Sequence, residues 1–289
     1  MVSIIILNHN GREFTRACLQ SLAAVTPVVE HEIILVDNCS HDGSREMIRA
    51  EFPDVVLLTQ NINIGFGRAN NIGARAARGE YLFFVNNDTI FKQDLLSPLK
   101  EFMEANKSVG VAAPMLLHPD GTFQLSYGNY PSFMNEIRTK RDTALIKNIP
   151  DHRTPKIVDW VSFAAVMIQR TAFEKIHGFD ERYFMYFEDA DFCYRIQKTG
   201  YKTYYCAEYS IIHFGGGSWS NTVMNKIKTE YRRSQIIFYQ LHRSFIETLA
   251  LRIFLILRFM HCLIFDAGEV RHRAISIIKL ALFFDANSN

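Results

Sequence analysis

Short hydrophobic runs alternate with longer amphipathic stretches over the first 117 residues of the chain. The runs are rich in Val and Ile, as expected of strands that are buried on both faces. The strands predicted from them are Val2–Leu7, Glu32–Val36, Val55–Leu58, Tyr81–Val85 and Val109–Leu117. The helices predicted between them are Glu13–Ala24, Gly43–Phe52, Gly67–Ala77 and Asp94–Ala105. Because strands and helices alternate, the pattern indicates βαβ units and an α/β fold with an open, mostly parallel sheet that has helices on both faces.

The alternation ends near Asp120, where Asp120-Gly121 predicts a hairpin turn and Tyr127–Pro155 has no regular pattern. Beyond it we expect a buried strand, a short helix, a second helix ending at a glycine and two short strands. These elements are Val158–Ile168, Thr171–Ile176, the helix through Gln197 that ends at Gly200, Lys202–Cys206 and Ser210–Phe214. The chain from about Asn225 is predicted to be helical. We therefore expect one α/β domain over residues 1–224, with halves at 1–117 and 118–224, and a helical tail over 225–289.

The composition excludes several classes of protein. The 289 residues carry 32 Lys and Arg against 30 Asp and Glu, so the net charge of +2 gives no electrostatic basis for general nucleic-acid binding. The five cysteines are scattered without a C-x-x-C pair, which favours buried thiols in a reducing compartment over a disulfide framework or zinc site. Neither a signal peptide nor an apolar, uncharged stretch of about 20 residues is evident. The sequence thus predicts a cytoplasmic protein.

Polar clusters follow the first four predicted strands, in the places where an open α/β sheet binds its ligands. They are Asn8–Gly11, Asp37–Gly43, Gln60–Gly65 and Asn86–Asp88. Asn, Asp, Gly and Ser also make ordinary turns and helix caps, so each cluster alone has a purely structural explanation. Because four clusters converge on one edge of the sheet, we expect a polar-ligand site there.

Two groups of carboxylates are candidates for chemistry. Asp88 follows an apolar strand, and a carboxylate there is well placed to hold a divalent cation that binds a diphosphate. Glu188, Asp189 and Asp191 lie within four residues beside an aromatic stretch, where like charges and apolar surroundings raise a pKa and create a general base. The structural alternative for Asp189 is an acid in the first turn of a helix, which the helix dipole favours.

These segments, taken in order, resemble the family 2 inverting glycosyltransferases with a GT-A fold, and specifically their bacterial rhamnosyltransferase-like branch. Each motif is weak alone, but their order and spacing are specific. The matching segments are Ser3–Gly11, Val36–Ser44, Asn63–Gly73, Asn86–Asp88 and Gly178–Glu181, followed by Phe184, Tyr186, Glu188, Asp189, Asp191 and Arg195. The resemblance covers roughly Val2 to Ser218 and implies a nucleotide-diphospho-sugar transferase. It also implies that residues 1–117 bind the nucleotide and 118–224 the acceptor.

The resemblance implies a role for particular positions. Asp37 would accept a hydrogen bond from the pyrimidine of a UDP- or dTDP-sugar donor, with dTDP-rhamnose as one candidate. Asp88 would bind Mg²⁺ or Mn²⁺, and His213 would complete the metal site, although a structural histidine at a strand end is the alternative. The other residues expected at the nucleotide or donor sugar are Asn8, His9, Asn10, Asn63, Gly65, Asn70, Asn71 and Asn87.

On the acceptor side, the resemblance implies that Asp189, with Glu188 beside it, deprotonates a hydroxyl of a glycan or lipid-linked glycan. The acceptor oxygen then attacks the anomeric carbon of the donor sugar in a single displacement, which inverts the configuration at that carbon. The resemblance also implies that this reaction belongs to cell-surface polysaccharide synthesis. Further residues expected near the acceptor are Trp160, Phe163, Tyr186 and Asp191.

The sequence departs from the family pattern at three places. Asn86 replaces the first acid of the Asp-X-Asp motif, Ser162-Phe163 stands where many relatives have a small Gly, and His177 replaces a common Gly.

Two other classes of protein are alternatives to a glycosyltransferase. A non-catalytic sugar-nucleotide-binding protein would keep the fold without turnover. A dinucleotide-dependent oxidoreductase is disfavoured, because the turn after the first strand lacks Gly-x-Gly-x-x-Gly.

The tail combines hydrophobic bulk with isolated charges. Phe245–Phe265 is rich in Leu, Ile and Phe, and in a helix Arg243, Glu247, Arg258 and His261 would fall within an arc of about 60°. Arg252 would lie opposite and would have to extend its charge towards water. The pattern predicts an in-plane helix on the inner face of the plasma membrane. The alternative is that the tail packs on the catalytic domain or forms a homodimer interface.

Overall fold

The computed structural model describes residues 1–141, 152–215, 221–265 and 268–286. Part of the irregular segment, 142–151, and the end of the family resemblance at Ser218 lie outside the described residues. The chain forms two compact units that are interleaved in sequence. The first comprises Met1–Tyr130, Pro150–Asp180 and Asp189–Gly216, and the second Pro131–Ile149, Glu181–Glu188 and Gly217–Asn289.

The first unit contains all the strands of the described residues. They are β1 (Val2–Asn8), β2 (His31–Asn38), β3 (Val56–Gln60), β4 (Tyr81–Asn86), β5 (Thr89–Ile90), β6 (Val109–Leu117), β7 (Phe123–Gln124), β8 (Tyr127–Gly128), β9 (Lys156–Val158), β10 (Trp160–Val161), β11 (Ala165–Gln169) and β12 (Lys202–His213). The helices of this unit are α1 (Arg12–Ala24), α2 (Ser44–Glu51), α3 (Phe66–Ala76), α4 (Leu96–Ala105) and α6 (Arg170–Lys175), with α7 (Glu188–Lys198) beginning at its border. The second unit contains α5 (Phe133–Arg141), α8 (Asn221–His242), α9 (Phe245–Phe265) and α10 (Gly268–Phe283).

The main sheet has the order β3-β2-β1-β4-β11-β6-β12-β5. β1 pairs in parallel with β2 and β4, and its register sets Asn8 opposite Asp37 and Leu7 opposite Asn86. β11 is antiparallel to both β4 and β6, so the sheet is mixed. The predicted α/β fold with a mostly parallel sheet is confirmed.

Alternation along the central strands covers both faces of the sheet. Ile4 and Ile6 belong to the core on one side, whereas Ile5 belongs to the core on the other, as the two-residue period of a strand requires. Phe83 and Phe84 divide in the same way, and all five side chains are fully buried. Burial of each contributes about 1.5–3 kcal/mol to folding, so these runs hold the strand ends in place.

The second half of the first unit differs from the sequence prediction. The single strand expected at Val158–Ile168 is wrong, because β9, β10 and β11 divide that range. The chain leaves the strand at Ser162, whose backbone N–H donates to the Ser126 carbonyl. The two strands expected after Lys202 are one strand, β12, with an irregular register between Cys206 and Ser210.

The second unit is helical, as predicted for the tail. Its core includes Ile237 and Phe238 of α8, Leu255 of α9 and Ile277 of α10, all fully buried. The sequence did not predict α5, which lies in the segment expected to be irregular. Among the described residues, none of the helices combines the length and the apolar character needed to cross a membrane.

Arg252 does not extend to water as expected from the sequence. Its guanidinium donates to the backbone carbonyls of Ala281, at 2.9 Å, and Phe284. These carbonyls lie at the C-terminal end of α10, where unpaired backbone acceptors and the helix dipole favour a cation. Arg252 therefore fastens α9 to the end of α10.

Candidate active site

Asn8, at the end of β1, is the centre of a buried hydrogen-bond network. Its Nδ2 donates to Asp37 Oδ2 at 2.9 Å and to Ser40 Oγ at 3.0 Å. Its Oδ1 accepts hydrogen bonds from Thr15 Oγ1, from Asn87 Nδ2 and from a backbone N–H. The side chain is fully buried, so its amide joins the loops that follow three neighbouring strands. His9 and Asn10, the next two residues, are exposed at the edge of the sheet.

Asp37 is fully enclosed at the end of β2. Its Oδ1 accepts hydrogen bonds from the Ser40 backbone N–H at 3.0 Å and from Arg45 Nε at 2.5 Å, in addition to the bond from Asn8 to Oδ2. Burial by itself raises the pKa of Asp37, but the bonds from Ser40, Arg45 and Asn8 outweigh it and hold the pKa below its usual value. The carboxylate is therefore ionised and, in this structure, enclosed by its protein partners.

Asn38 organises the loop after β3. Its Nδ2 donates to Asn63 Oδ1 at 2.9 Å and to the Gly65 carbonyl at 3.3 Å, and its Oδ1 accepts the Ile64 backbone N–H. Gly65 has a φ of 86°, in a region that favours glycine. The predicted positions Asn63 and Gly65 thus lie together, held by a residue that the sequence analysis did not single out.

Asn70 and Asn71 are buried on α3. Asn70 Nδ2 donates to the carbonyl of Phe66. Asn71 binds the backbone of Phe179 twice: Nδ2 donates to its carbonyl, and Oδ1 accepts its N–H, both at 2.9 Å. These bonds attach the segment around Gly178 to α3, so the contacts of both amides lie inside the protein.

Asp88 and His213 lie side by side because β5 pairs with the end of β12. His213 is opposite Thr89 in the register, and its Nε2 is 3.3 Å from Asp88 Oδ1. Asn86 Nδ2 is 3.4 Å from the same ring nitrogen. The other ring nitrogen, Nδ1, donates to Gln124 Oε1 at 2.7 Å. This bond orients the ring so that Nε2 faces Asp88.

The Asp88–His213 pair fits a divalent cation. A carboxylate oxygen and an imidazole lone pair are ligands for Mn²⁺ and Mg²⁺, and an outer hydrogen bond such as that from Gln124 is typical of metal-bound histidine. Within the described ranges, no group of three or more His, Cys, Asp or Glu side chains could hold a metal. The pair would thus supply two ligands, and the diphosphate of a donor could supply further oxygens.

Left-handed backbone occurs repeatedly in the loops around these residues. Asn10, two residues after β1, has a φ of 52°, and Cys39, the first residue after β2, has a φ of 70°. His177, immediately before Gly178, has a φ of 60°. Tyr186 and Phe187 are both left-handed, at 68° and 64°, immediately before Glu188 and Asp189. Bulky residues rarely adopt this conformation, which costs about 1–2 kcal/mol each and is concentrated at functional sites.

Asp189 has the environment of a general base. It lies in the first turn of α7, is partly buried, and accepts a hydrogen bond from the Ala190 backbone N–H at 2.7 Å. Burial raises its pKa to about 6, despite that hydrogen bond. Glu188, the preceding residue, is 7% exposed. Asp189 is thus both an acid in a first helical turn and a carboxylate that can take a proton near neutral pH.

The four predicted acceptor-side residues have different surroundings. Asp191 is fully buried and accepts a hydrogen bond from Arg195 Nε at 2.7 Å, whereas Phe163 lies in an aromatic cluster and is only 3% exposed. Trp160 is partly buried and donates from Nε1 to a backbone carbonyl. Tyr186 lines a cavity. Asp191 and Phe163 therefore offer almost no surface to a ligand in this structure.

Several residues of this site were missed by the sequence analysis. Ser40 and Arg45 hold Asp37, and Gln124 orients His213. Arg45 lies eight residues after Asp37, in the first turn of the following helix, so a cation at this place could have been read from the sequence. Gln124 is 89 residues from His213, and no local pattern connects them.

Comparison with known protein families gives a match to the family model described as glycosyl transferase family 2, over residues 3–195. The chain is 26% identical over 245 residues to the N-acetylglucosaminyl-diphospho-decaprenol L-rhamnosyltransferase of Mycobacterium tuberculosis, covering 77% of this chain and 78% of that protein. It is also 26% identical over 231 residues to the rhamnosyltransferase WbbL of Escherichia coli, covering 74% and 83% of the two chains.

Solved structures share the fold. The mannosyltransferase PcManGT of Pyrobaculum calidifontis, in complex with GDP-Man and Mn²⁺, aligns with a TM-score of 0.58 and 16% identity, covering 98% of this chain and 70% of that one. A crystal structure of GalNAc-T7 with UDP, GalNAc and Mn²⁺ aligns with a TM-score of 0.59 and 16% identity, covering 83% of this chain and half of that one. Both are glycosyltransferases of the GT-A fold.

Proposed function

The chain belongs to glycosyl transferase family 2 and is a glycosyltransferase, and we propose that it moves L-rhamnose from dTDP-rhamnose to a hydroxyl of a lipid-linked glycan. The observation that carries the proposal is the Asp88–His213 pair beside the network centred on Asn8. The rhamnosyltransferases to which the chain is similar support the choice of sugar, and the name of one includes a diphospho-decaprenol. A UDP-sugar is the other donor that we consider.

We assign the donor to the half of the catalytic domain at 1–117, and the acceptor to 118–224. Asp37 recognises the pyrimidine, and the exposed backbone at His9 and Asn10 lines the nucleotide. The residues proposed to complete the donor site, directly or by holding its loops, are Asn8, Asn63, Gly65, Asn70, Asn71 and Asn87. Support comes from the hydrogen bonds that join Asn8, Asp37 and Asn87 at neighbouring strand ends.

Asp88 and His213 would hold Mg²⁺ or Mn²⁺. The cation, when bound, neutralises the charge that develops on the diphosphate as it leaves. Asn86 cannot add a second negative charge to this site, so the affinity for metal depends on Asp88, on the orientation of His213 and on the diphosphate itself.

Asp189 takes the proton of the acceptor hydroxyl. A pKa of about 6 leaves the carboxylate mostly ionised at pH 7 and still basic enough to accept a proton in the transition state. One base on the acceptor side suffices for a single displacement with inversion. Glu188 is the alternative base, and we place Trp160 and Tyr186 beside the acceptor, with Phe163 and Asp191 acting through the core that supports it.

We also propose that the tail holds the enzyme on the inner face of the plasma membrane. A row of hydrophobic residues on α9 is exposed along one side of the helix, within an arc of about 80°. This row consists of Ile246, Leu249, Ile253, Leu257 and Met260. The exposed side of α10 adds cations at Arg271 and Lys279. Apolar surface with nearby cations suits an anionic lipid surface, whereas the remaining part of α9 packs inside the unit.

A transfer assay tests the function. The full-length protein is incubated with Mn²⁺, a polyprenyl-diphosphate-linked N-acetylglucosamine and one of dTDP-rhamnose, UDP-glucose or GDP-mannose, and products are identified by mass spectrometry. We expect a product only with dTDP-rhamnose, with its anomeric configuration inverted in the NMR spectrum. Binding of a donor without transfer to any glycan acceptor would instead favour the non-catalytic sugar-nucleotide-binding protein.

A further inference from the structure

A cavity of about 480 Å³ lies within the helical unit, and its lining includes four cations. Lys228 and Arg232 come from successive turns of α8, Arg258 from α9 and Arg273 from α10. None of the described residues that line the cavity is acidic. The net charge of the whole chain is only +2, so this is a local concentration of positive charge. Its volume is in the range of cavities that bind small molecules.

Two of the four cations, Arg232 and Arg258, have contacts that orient them at the cavity. Arg232 Nη1 donates to Glu136 Oε1 at 3.0 Å and to Gln235 Oε1 at 2.5 Å. Its guanidinium also lies 5.2 Å from the centroid of the Tyr231 ring. Arg258 is 5.9 Å from the centroid of the neighbouring Phe259 ring. Guanidinium groups oriented in this way lose little conformational freedom when they bind an anion, and their planar forks suit phosphate oxygens.

The remaining walls are largely apolar. Ile227 contributes aliphatic surface and Tyr231 a ring, whereas Ile277 and Phe259, which also line the cavity, are buried. A free inorganic anion would leave these walls without a partner, whereas an anion joined to a hydrocarbon chain would cover both kinds of surface. The lining of the cavity therefore suits the binding of an amphiphile with a strongly anionic head group.

Tyr186 is the residue of the cavity wall that is near the proposed base in the sequence. It lines the cavity and lies three residues before Asp189 in the sequence. Its ring packs against Tyr231, with centroids 5.7 Å apart. A short piece of chain with two consecutive left-handed residues thus joins the cavity wall to the proposed base.

We infer that this cavity binds the diphosphate and the first isoprenoid units of a lipid-linked acceptor. The inference rests on the proposed function, since it identifies the part of the acceptor that the helical unit recognises. The diphosphate of a lipid-linked glycan is esterified at both ends and carries about two negative charges, against about one on a phosphatidylglycerol head group. This charge suits a concave site with several cations, of which Arg232 is already paired with Glu136. Phospholipid head groups would instead meet exposed cations such as Arg271 and Lys279.

Two charge-matched variants of the full-length protein test the inference. Arg258→Gln/Arg273→Gln removes two cations of the cavity, and Arg271→Gln/Lys279→Gln removes two cations of the exposed side of α10. Calorimetric titration with farnesyl diphosphate is performed in EDTA on an Asp88→Ala background, so that metal-dependent binding at the donor site does not contribute. We expect the cavity variant to lose at least tenfold in affinity and the control variant less than twofold. Farnesol and inorganic diphosphate should each bind more weakly than farnesyl diphosphate.

Equal affinity of both variants for farnesyl diphosphate would overturn the inference. Co-sedimentation with phosphatidylglycerol vesicles gives a second test. The inference would also be overturned if the cavity variant lost vesicle binding as strongly as it lost affinity for farnesyl diphosphate, while the control variant kept its vesicle binding. The cavity would then bind membrane head groups. Arg258→Gln alone changes an exposed side chain, so its result stands even if the double variant unfolds. Titration of dTDP and UDP with Mn²⁺, on proteins that retain Asp88, tests the proposed function separately from the cavity.

Discussion

At the scale of single residues, Asp189 links burial to reactivity. Because its pKa is raised to about 6, the carboxylate gains its negative charge as the pH rises through that value. We expect kcat/KM for transfer to fall as the pH is lowered below about 6, as measured between pH 5 and 8. Asp189→Asn should reduce the rate by about 10²–10⁴ and leave donor binding unchanged, since an amide cannot accept the proton.

Glu188→Gln is the matched control for Asp189→Asn, because it removes the neighbouring charge. If Asp189→Asn kept near-normal turnover and Glu188→Gln lost it, the two roles would be exchanged.

The stability of the protein gives a second measurement on Asp189. The folded protein binds a proton at Asp189 more tightly than the unfolded chain does, so this group makes folding less favourable as the pH rises from about 4 to 6. Asp189→Asn should therefore raise the free energy of unfolding at pH 7, by about 1–2 kcal/mol.

Gln124 acts on the metal site through His213. Its Oε1 accepts the Nδ1 proton of His213, which keeps Nε2 directed at Asp88. We expect Gln124→Ala to weaken Mn²⁺ binding in the presence of dTDP by about 10-fold, as measured by electron paramagnetic resonance of free Mn²⁺. The affinity for dTDP without metal should not change. Gln20→Ala, an exposed substitution on α1, is the control, and equal Mn²⁺ affinity of both variants would show that Gln124 has no positioning role.

At the scale of elements, the hydrophobic surface of α9 has a buried side and an exposed side. One side packs within the helical unit through residues such as Leu251 and Leu255, while the exposed row remains open. Replacing Leu249, Ile253 and Leu257 together by Gln removes apolar area that is already exposed, so the fold should be retained. We expect this variant to lose most of its co-sedimentation with phosphatidylglycerol vesicles.

The control for the α9 variant replaces three exposed hydrophobic residues of the other unit, Val28, Ile62 and Leu125, by Gln. Truncation before α9 is a weaker experiment, because it would remove α10 as well as α9, and with them the buried residues Leu255 and Ile277 of this unit. If neither the full-length protein nor the variant binds vesicles, and only the full-length protein dimerises in analytical ultracentrifugation, the exposed row is a subunit interface and the membrane prediction is wrong.

At the scale of the whole molecule, donor and metal should stabilise the fold together. A ligand present at 100 times its Kd adds about 2.7 kcal/mol to the free energy of unfolding. We expect dTDP or UDP with Mn²⁺ to raise the Tm more than either nucleotide alone, and GDP or ADP to raise it less. Asp88→Ala should remove only the metal-dependent part of the shift.

Asp37→Asn should weaken the binding of pyrimidine nucleotides both with and without metal, in contrast to Asp88→Ala. It also replaces an ionised carboxylate that receives hydrogen bonds from Ser40, Arg45 and Asn8, so the Tm of the free variant is measured first. Equal shifts with adenine and pyrimidine nucleotides in the unmodified protein would contradict the role of Asp37.

The sequence by itself determined most elements of the first 117 residues and the clusters that follow them, but it did not predict the two-residue strand β5. Short runs rich in Val and Ile that alternate with helical stretches favour strands, and Asn, Asp and Gly at their ends are short-range signals. The run at β3 forms a strand but is only partly buried. The strand Val109–Leu117 has the bounds that its hydrophobic run predicts. The range Val158–Ile168 does not, because β11 lies antiparallel between β4 and β6 and the preceding residues pair elsewhere.

Only the tertiary structure decided which distant side chains meet. His213 lies beside Asn86, 127 residues away, because β12 pairs with β5, and Asn71 binds Phe179 across 108 residues. Such contacts depend on the order of strands in the sheet, which local patterns do not encode. The same reason applies to the tail: its sequence shows how much of α9 is apolar, but packing against its neighbours decides which side is buried and which remains exposed.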